Sequence, residues 1–300
     1  ADTKGDRSVA VGSLALQNQN FTSTTDSYNI AVGYGAGNAI TTGASNTLVG
    51  GLAGDVLSTG NSNVAVGLHT LGTDTQGDRN VAVGTLALQN QNFTSSTDSY
   101  NVGVGYNAGN DLTTGLNNTL VGGLAGDALT DADSNVAVGY AALSTDTLGS
   151  RSVAIGRNAL AHQNLTSATN VYNTALGYQA GYEVTTGLNN TLVGGLTGDE
   201  LTTGSENVAL GRSALSGDTL GSHSVAVGFQ ALASQNLTSA TDVHNVAVGY
   251  NAGVEVTTGL NNTLVGGLTG DALTTGNYNV IFGGLSDSTA VDSEKAQGFG

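Results

Sequence analysis

The feature that most constrains this chain is a five-residue phrase, Asn-Val-Ala-Val-Gly and its variants, which recurs sixteen times. From Gly12 to Gly84 the closing glycines make one long step of twenty-one positions and three short steps of seventeen, and this cycle then repeats as a super-repeat of seventy-two. A strand and turn of this length cannot bury an apolar face alone, but copies stacked coil on coil can. The period therefore predicts an all-β solenoid. Its marker glycines are Gly12, Gly33, Gly50, Gly67, Gly84, Gly105, Gly122, Gly139, Gly156, Gly177, Gly194, Gly211, Gly228, Gly249, Gly266 and Gly283.

Alignment of the coils on the marker glycine gives columns of similar residues. The residue one position before it is always apolar, and the residue three before it is Val, Ile or Thr. Such alternation of β-branched residues predicts a strand of about five residues. Gly, Asp or Asn stands seven before it in all coils but the one with Ala132, and these residues tolerate a left-handed turn. Asn stands four before it in thirteen coils, which predicts a stacked amide ladder that includes Asn29, Asn46, Asn63, Asn80, Asn101, Asn118 and Asn135.

The strand pattern also predicts which residues face outward. We expect the residues one and three before the glycine to face the interior, so that the residue between them faces out. That residue is small or apolar throughout, as in Ala10, Ala31, Leu48 and Ala65. A continuous apolar stripe outside a soluble rod favours an interface. A second interior slot is filled from two places, by Leu71, Leu143 and Leu215 early in some coils and by Ile40, Leu57, Leu112 and Leu129 later in others.

Composition supports a narrow, regular fold rather than an ordinary globular domain. The chain has 46 Gly and no Pro, Cys, Met or Trp, so its interior must be built from Val, Leu, Ala and Thr. Its net charge of −16 disfavours nucleic acid as a partner. No apolar run approaches the length of a membrane span, so we expect no membrane insertion. Neither thiolate metal sites nor cofactor motifs are found, and we expect no cofactor.

These observations predict one continuous array over residues 1–283, a flattened roll of about 17 coils and roughly 80 Å. The units of the super-repeat end near Gly84, Gly156, Gly228 and Gly300, and residues 284–300 are either a degenerate last coil or the start of another segment. Because the pattern is already running at Thr3, we expect an excised piece of a longer fibre or a subunit that stacks end to end.

The coils resemble two groups of known repeats. Ser152–Gly156 (SVAIG) and Asn245–Gly249 (NVAVG) resemble the head repeats of YadA-type trimeric autotransporter adhesins. Asn173–Gly181 (NTALGYQAG) and Asn245–Gly253 (NVAVGYNAG) equally resemble repeats of phage tail-fibre proteins. The resemblance implies a left-handed parallel β-roll in a side-by-side homotrimer, extracellular on a virion or bacterial cell surface. It departs from the adhesin pattern because adhesin head coils are usually shorter than the coils of this chain and because no stalk or membrane anchor accompanies them here.

The four longer coils carry an insertion that forms repeated polar loops. Such loops suit multivalent, individually weak contacts with a cell-surface glycan or protein receptor, although duplication history alone also explains them. We expect an exposed Phe or Leu in each loop. The candidate contact residues are Phe21, Thr22, Phe93, Thr94, Leu165, Thr166, Leu237 and Thr238.

The phrase GGLAGDAL (Gly122–Leu129) resembles a calcium-binding nonapeptide of repeats-in-toxin proteins. Its copies return only once in each unit of the super-repeat, so their aspartates would lie about 19 Å apart and could not share an ion. We expect a water-facing Asp in a turn and no metal site. The four aspartates are Asp55, Asp127, Asp199 and Asp271.

Five residues before the marker glycine, Arg and then Tyr occupy successive coils, which predicts cation–π stacking. The pairs are Arg7–Tyr28, Arg79–Tyr100 and Arg151–Tyr172, and His223–His244 takes their place in the last one. Repulsion between two protonated imidazoles predicts that the last unit loosens below about pH 6.

No catalytic triad or paired-carboxylate pocket emerges, and the four histidines occupy three different coil positions, so we expect no catalytic site and no enzyme. Paired Thr columns at Thr41–Thr42, Thr113–Thr114 and Thr185–Thr186 raise an ice-binding surface as a remote alternative. The sequence favours a structural or adhesive fibre segment of phage tail-fibre type. The alternatives are a bacterial adhesin head and a self-assembling extracellular filament subunit.

Overall fold

The computed structural model describes residues 4–284 and the strand at 297–299. Within these residues every regular element is a β-strand. The strands of each of the two bodies of the chain form a parallel β-solenoid with a regular spacing from turn to turn, and the two bodies together contain about sixteen turns. The all-β solenoid class predicted from the period is thereby confirmed. The chain divides into two compact bodies, an N-terminal body of residues 1–150 with 166–169 and a C-terminal body of residues 151–165 with 170–300.

The N-terminal body contains one three-residue strand per coil and a second, two-residue strand in the coils beside the insertions. Its strands are β1 (Gly5–Asp6), β2 (Val9–Val11), β3 (Thr25–Asp26), β4 (Ile30–Val32), β5 (Thr47–Val49), β6 (Val64–Val66), β7 (Gly77–Asp78), β8 (Val81–Val83), β9 (Thr97–Asp98), β10 (Val102–Val104), β11 (Thr119–Val121), β12 (Val136–Val138) and β13 (Gly149–Ser150).

The C-terminal body repeats this arrangement, and β15 (Thr169–Asn170) lies at the boundary in sequence between the two bodies. Its other strands are β14 (Val153–Ile155), β16 (Thr174–Leu176), β17 (Thr191–Val193), β18 (Val208–Leu210), β19 (Gly221–Ser222), β20 (Val225–Val227), β21 (Thr241–Asp242), β22 (Val246–Val248), β23 (Thr263–Val265), β24 (Val280–Phe282) and β25 (Gln297–Phe299).

Within each body the three-residue strands pair in parallel with the strand of the next coil, and the register follows the sequence period. Val9 of β2 pairs with Ile30 of β4 across a long coil, and Ile30 pairs with Thr47 of β5 across a short one. The short step also joins the last described strands, where Val280 of β24 pairs with Gln297 of β25. Identical columns therefore stack in register, which is the arrangement in which equivalent side chains support one another along a sheet.

The left-handed turn that the sequence predicted seven residues before the marker glycine lies two residues later in the chain. The Gly-rich column seven before the marker has ordinary backbone angles, whereas the column five before it is left-handed, as at Tyr100 (φ 49°) and Asn117 (φ 60°). Glycine is favoured in the earlier column by close approach instead. A Cβ on Gly115 would lie 2.3 Å from the carbonyl oxygen of Ala132 in the following coil.

The predicted inside and outside of the strand are reversed. From β4 to β24 the middle residue of each three-residue strand is buried, as at Ala31, Leu48 and Ala65, while the flanking valines, such as Val64 and Val66, are partly exposed. Side chains alternate along a strand, so the middle residue must share a face with the Asn two positions earlier. Because that Asn is fully buried, the middle residue is interior as well. Ala10 is the exception among the named examples: it is exposed, and it lies in the first described coil.

The second interior slot is filled as predicted. Leucines from an early position and Leu or Ile from a later position are completely buried, which confirms the expected alternation between two sources of core volume. These residues are Leu71, Leu143, Leu215, Ile40, Leu57, Leu112 and Leu129.

The Asn column forms a buried ladder whose side chains hydrogen-bond to one another and to the backbone of neighbouring coils. The backbone N–H of Asn63 donates to Oδ1 of Asn46, 2.9 Å away, and Nδ2 of Asn63 donates to the carbonyl oxygen of Gly77 at 2.8 Å. The same contacts recur at Asn118 and Asn135. Each amide thus satisfies polar groups of neighbouring coils that water cannot reach.

Candidate interaction surfaces

The outward side of the three-residue strands is an apolar face, which we call the valine face. It consists of the residues one and three before each marker glycine, and each body has its own part of it. Its members are β-branched or apolar throughout, and none is charged. Exposure is highest at Val9, Val11, Ile30, Leu176, Val208, Leu210 and Phe282, each at 40% or more. The apolar stripe expected from the sequence is present, but Val, Ile, Leu, Phe and Thr form it rather than Ala and Leu48.

The insertion loops are anchored inward by the residues that were expected to be exposed. Phe21, Phe93, Leu165 and Leu237 are each only 6% exposed, so the expectation that these apolar side chains are exposed is wrong. A large apolar side chain beside an accessible core gains more from burial than from display in water. The Thr that follows each of them is exposed, at Thr22, Thr94, Thr166 and Thr238.

A buried polar relay secures the second loop. Nε2 of Gln91 donates to Oδ2 of Asp74 at 2.6 Å, and Oε1 of Gln91 accepts from Nδ2 of Asn101 at 2.9 Å. The backbone N–H of Gly77 donates to Oδ1 of Asp74 at 2.9 Å. Gln235 repeats the first contact with Asp218 at 2.5 Å. The relay joins the loop to the Asn ladder, so the loop has a defined base.

Sequence reasoning missed this relay, although its signal was in the columns. Asp stands ten before the marker glycine at Asp74, Asp146 and Asp218, and Gln stands seven after it at Gln19, Gln91, Gln163 and Gln235. Burial raises the pKa of Asp74 and of Asp218 above the ordinary 3.8, while hydrogen bonds from Gln91 and Gln235 lower it in part.

The predicted cation–π pairs are confirmed. The guanidinium carbons of Arg7, Arg79 and Arg151 lie 5.4, 5.7 and 5.8 Å from the ring centroids of Tyr28, Tyr100 and Tyr172. An Asp strengthens the first two pairs, because Asp26 forms an ion pair with Arg7 and Asp98 forms one with Arg79. These groups are exposed, so each contact contributes about 0.5–1 kcal/mol.

The histidines that take this place form a different cluster. The rings of His223 and His244 have centroids 5.1 Å apart. Nδ1 of His223 lies 3.1 Å from Asp242 Oδ1, and its Nε2 lies 3.2 Å from Glu206 Oε2. The two carboxylates therefore offset the repulsion that two protonated rings would cause. The loosening of the last unit below about pH 6 stays a prediction, and the carboxylates reduce its expected size.

The aspartates of the GGLAGDAL turns do not simply face water. One carboxylate oxygen of Asp55, Asp127 and Asp199 is buried without a hydrogen-bond partner. Burial raises the pKa of Asp127 and of Asp199 to about 6, and like charge from Asp111 and Glu200, respectively, adds to the shift. The expected water-facing Asp is therefore only partly exposed at these three turns.

No protein-family model, curated protein or solved structure matches the chain. Among the described residues there is no helix long and apolar enough to span a bilayer.

Proposed function

We propose that the chain is a non-enzymatic structural or adhesive segment of an extracellular fibre, such as a phage tail-fibre shaft, in which copies pack side by side through the valine face. The supporting observation is that coils held in register by the buried Asn ladder also carry the valine face, which is uncharged and apolar, on their outer side. Such a face is a liability on a protein that stays alone in water.

A second copy of the chain is the occupant that fits the valine face best. Its side chains repeat at one strand spacing, about 4.8 Å, so a partner with the same repeat can match it row by row. The chain itself has this repeat. Its net charge of −16 lies off this face, where it opposes packing of copies through any other surface. Three chains around one axis is the arrangement that the resemblance implies.

The mass of the protein in solution tests this proposal. Sedimentation equilibrium is expected to give three times the mass of the 29.7 kDa chain. Val66→Glu combined with Val104→Glu puts charges on the face and is expected to yield folded monomers. Val64→Thr combined with Val102→Thr is the matched control, because Thr already stands in this column at Thr47 and Thr119. A monomeric wild-type protein at micromolar concentration contradicts the proposal.

The exposed parts of the insertion loops are the proposed receptor contacts. Thr22, Thr94, Thr166 and Thr238 recur once in each unit of the super-repeat, so weak contacts at each would add by multivalency. Labelled protein applied to an array of cell-surface glycans is expected to bind, and replacement of the four Thr by Ala is expected to abolish binding while the fold is kept. Unchanged binding by that variant would contradict the proposed receptor contacts at the loops, while the proposed structural role of the shaft would be unaffected.

A further inference from the structure

The structure points to a metal site at the His223–His244 cluster: we propose that His223, His244 and Asp242, with Glu206 beside them, bind one divalent transition-metal cation such as Zn²⁺. One ligand atom from each of His223, Asp242 and His244 lies within 4.8 Å of the other two. This set is the only such group among the residues that the structure describes.

The donor chemistry selects the class of ion. Two imidazole nitrogens with carboxylate oxygens suit Zn²⁺ and the later first-row divalent metals, whereas Ca²⁺ and Mg²⁺ take oxygen ligands. Donors around tetrahedral Zn²⁺ lie about 3.3 Å apart, given metal–ligand bonds near 2.0–2.1 Å. The ligand atoms lie within 4.8 Å of one another, so we expect binding to require rotation of the exposed side chains of Asp242 and His244.

One ligand atom is already oriented for this role. Nδ1 of His223 is buried and makes no hydrogen bond, although Asp242 Oδ1 is 3.1 Å away. A ring nitrogen that is close to a carboxylate but not aligned for a hydrogen bond to it leaves its lone pair available. Nε2 of the same ring faces Glu206 at 3.2 Å, and a carboxylate on the second nitrogen orients a metal-binding imidazole.

Charge compensation distinguishes this cluster from its equivalents in the other coils. In the second repeat of the pattern the same positions hold Arg79, Asp98 and Tyr100, and the guanidinium neutralises the carboxylate. In the cluster His223 takes the place of Arg, and two carboxylates, Asp242 and Glu206, lie beside it. The position of Glu206 is occupied by Ser62 in that second repeat. A divalent cation would balance the charges of the two carboxylates at a site that has no permanently charged guanidinium.

The backbone angle φ at the exchanged positions is nearly the same in both arrangements, so we expect the side chains to be exchangeable without a change of fold. His223 and His244 have φ of 63° and 52°, and Arg79 and Tyr100 have φ of 61° and 49°. The chain thus contains its own metal-free reference. The variant His223→Arg/His244→Tyr converts the cluster to the set that exists at Arg79 and Tyr100.

Calorimetric titration of the intact chain with ZnCl₂ at neutral pH tests the proposal. One equivalent per chain is expected, and Co²⁺ is expected to give the visible absorption bands of a site with nitrogen ligands. The variant His223→Arg/His244→Tyr is expected to weaken binding by about 100-fold or more and keep the circular dichroism of the wild type. His162→Asn, which removes a lone His beside Glu183, is expected to leave binding unchanged.

A gain of function provides the converse test. Ser62→Glu combined with Arg79→His and Tyr100→His is expected to raise the stoichiometry to two Zn²⁺ per chain. Absence of saturable Zn²⁺ binding to the wild type would overturn the proposal, and so would undiminished binding by His223→Arg/His244→Tyr. Equal affinity for Ca²⁺ would overturn it as well, because it would indicate attraction by exposed acidic groups alone.

Discussion

Oδ1 of Asn101 accepts a hydrogen bond from the backbone N–H of Asn118, 2.9 Å away in the next coil. The side chain of Asn118 continues the ladder by accepting from the N–H of Asn135 at 3.0 Å and donating to the carbonyl oxygen of Ala132 at 2.7 Å. Each ladder residue therefore completes the hydrogen bonding of buried backbone groups in adjacent coils. Loss of the Asn118 side chain leaves two of these backbone groups unpaired, the N–H of Asn135 and the carbonyl oxygen of Ala132.

The loss of stability when a ladder Asn is replaced by Ser should depend on the coil in which the Asn lies. Asn118→Ser is expected to lower the free energy of unfolding by about 2 kcal/mol or more, because the shorter hydroxyl cannot serve both backbone groups. Asn80→Ser is expected to cost less than about 1 kcal/mol, since Ser99 donates to Asn80 at 2.8 Å and the equivalent Ser8 and Ser27 already form such a pair. Urea unfolding of the two variants measures the difference, and equal losses would contradict the position dependence.

Close packing of the coils requires glycine at the marker position Gly122 but not at the following residue, Gly123. A Cβ on Gly122 would lie 2.4 Å from the carbonyl oxygen of Gly139, and φ at Gly122 is +138°, where side chains are rarely accommodated. Gly122→Ala is expected to destabilise by about 3 kcal/mol or more, since the sheet must open to relieve the contact. A Cβ on Gly123 would meet nothing closer than 3.6 Å, so Gly123→Ala is the matched control and should be near neutral. Thermal unfolding of both variants is the measurement, and similar melting temperatures would exclude the steric account.

The period, the register and the core leucines could be predicted from the sequence because each coil repeats the same constraints. The face assignment was wrong although the information was present. A buried Asn at Asn63 requires by alternation that Ala65 is buried and that Val64 and Val66 face out. Phe93 was misassigned for another reason, since a local polar context does not reveal that a loop folds back on the core.

The half-buried aspartates of the GGLAGDAL turns should make stability depend on pH. Burial raises the pKa of Asp127 from the ordinary 3.8 to about 6 in the folded chain. Between about pH 4 and 6 the folded chain then holds a proton that the unfolded chain has lost, so stability falls as pH rises through this window. Asp199 behaves in the same way.

Asp127→Asn removes the ionisable group and should therefore stabilise the protein at pH 7 but not at pH 4. The gain is expected to be about 1 kcal/mol or less, because the carboxylate is partly exposed and screened by water. Asn is compatible with this turn position, where Asn38 and Asn110 stand in other coils. Unfolding free energies of variant and wild type from pH 4 to 8 provide the measurement. A difference that does not change with pH would indicate a hydrogen-bonding effect rather than ionisation.

Variants of the buried loop residue Phe93 and of the exposed Thr94 should distinguish an effect on stability from an effect on receptor binding. Phe93→Ala empties a site in which the ring is 6% exposed, so it should lower the free energy of unfolding by about 2–3 kcal/mol. It should also speed proteolytic cleavage within residues 92–96. Phe93→Leu should cost about 1 kcal/mol or less, because Leu165 and Leu237 fill the same position in other loops. Thr94→Ala, at an exposed site, should leave stability unchanged. If Phe93→Ala instead kept full stability and protease resistance, the ring would not anchor the loop, and a role in direct contact with a receptor would regain support.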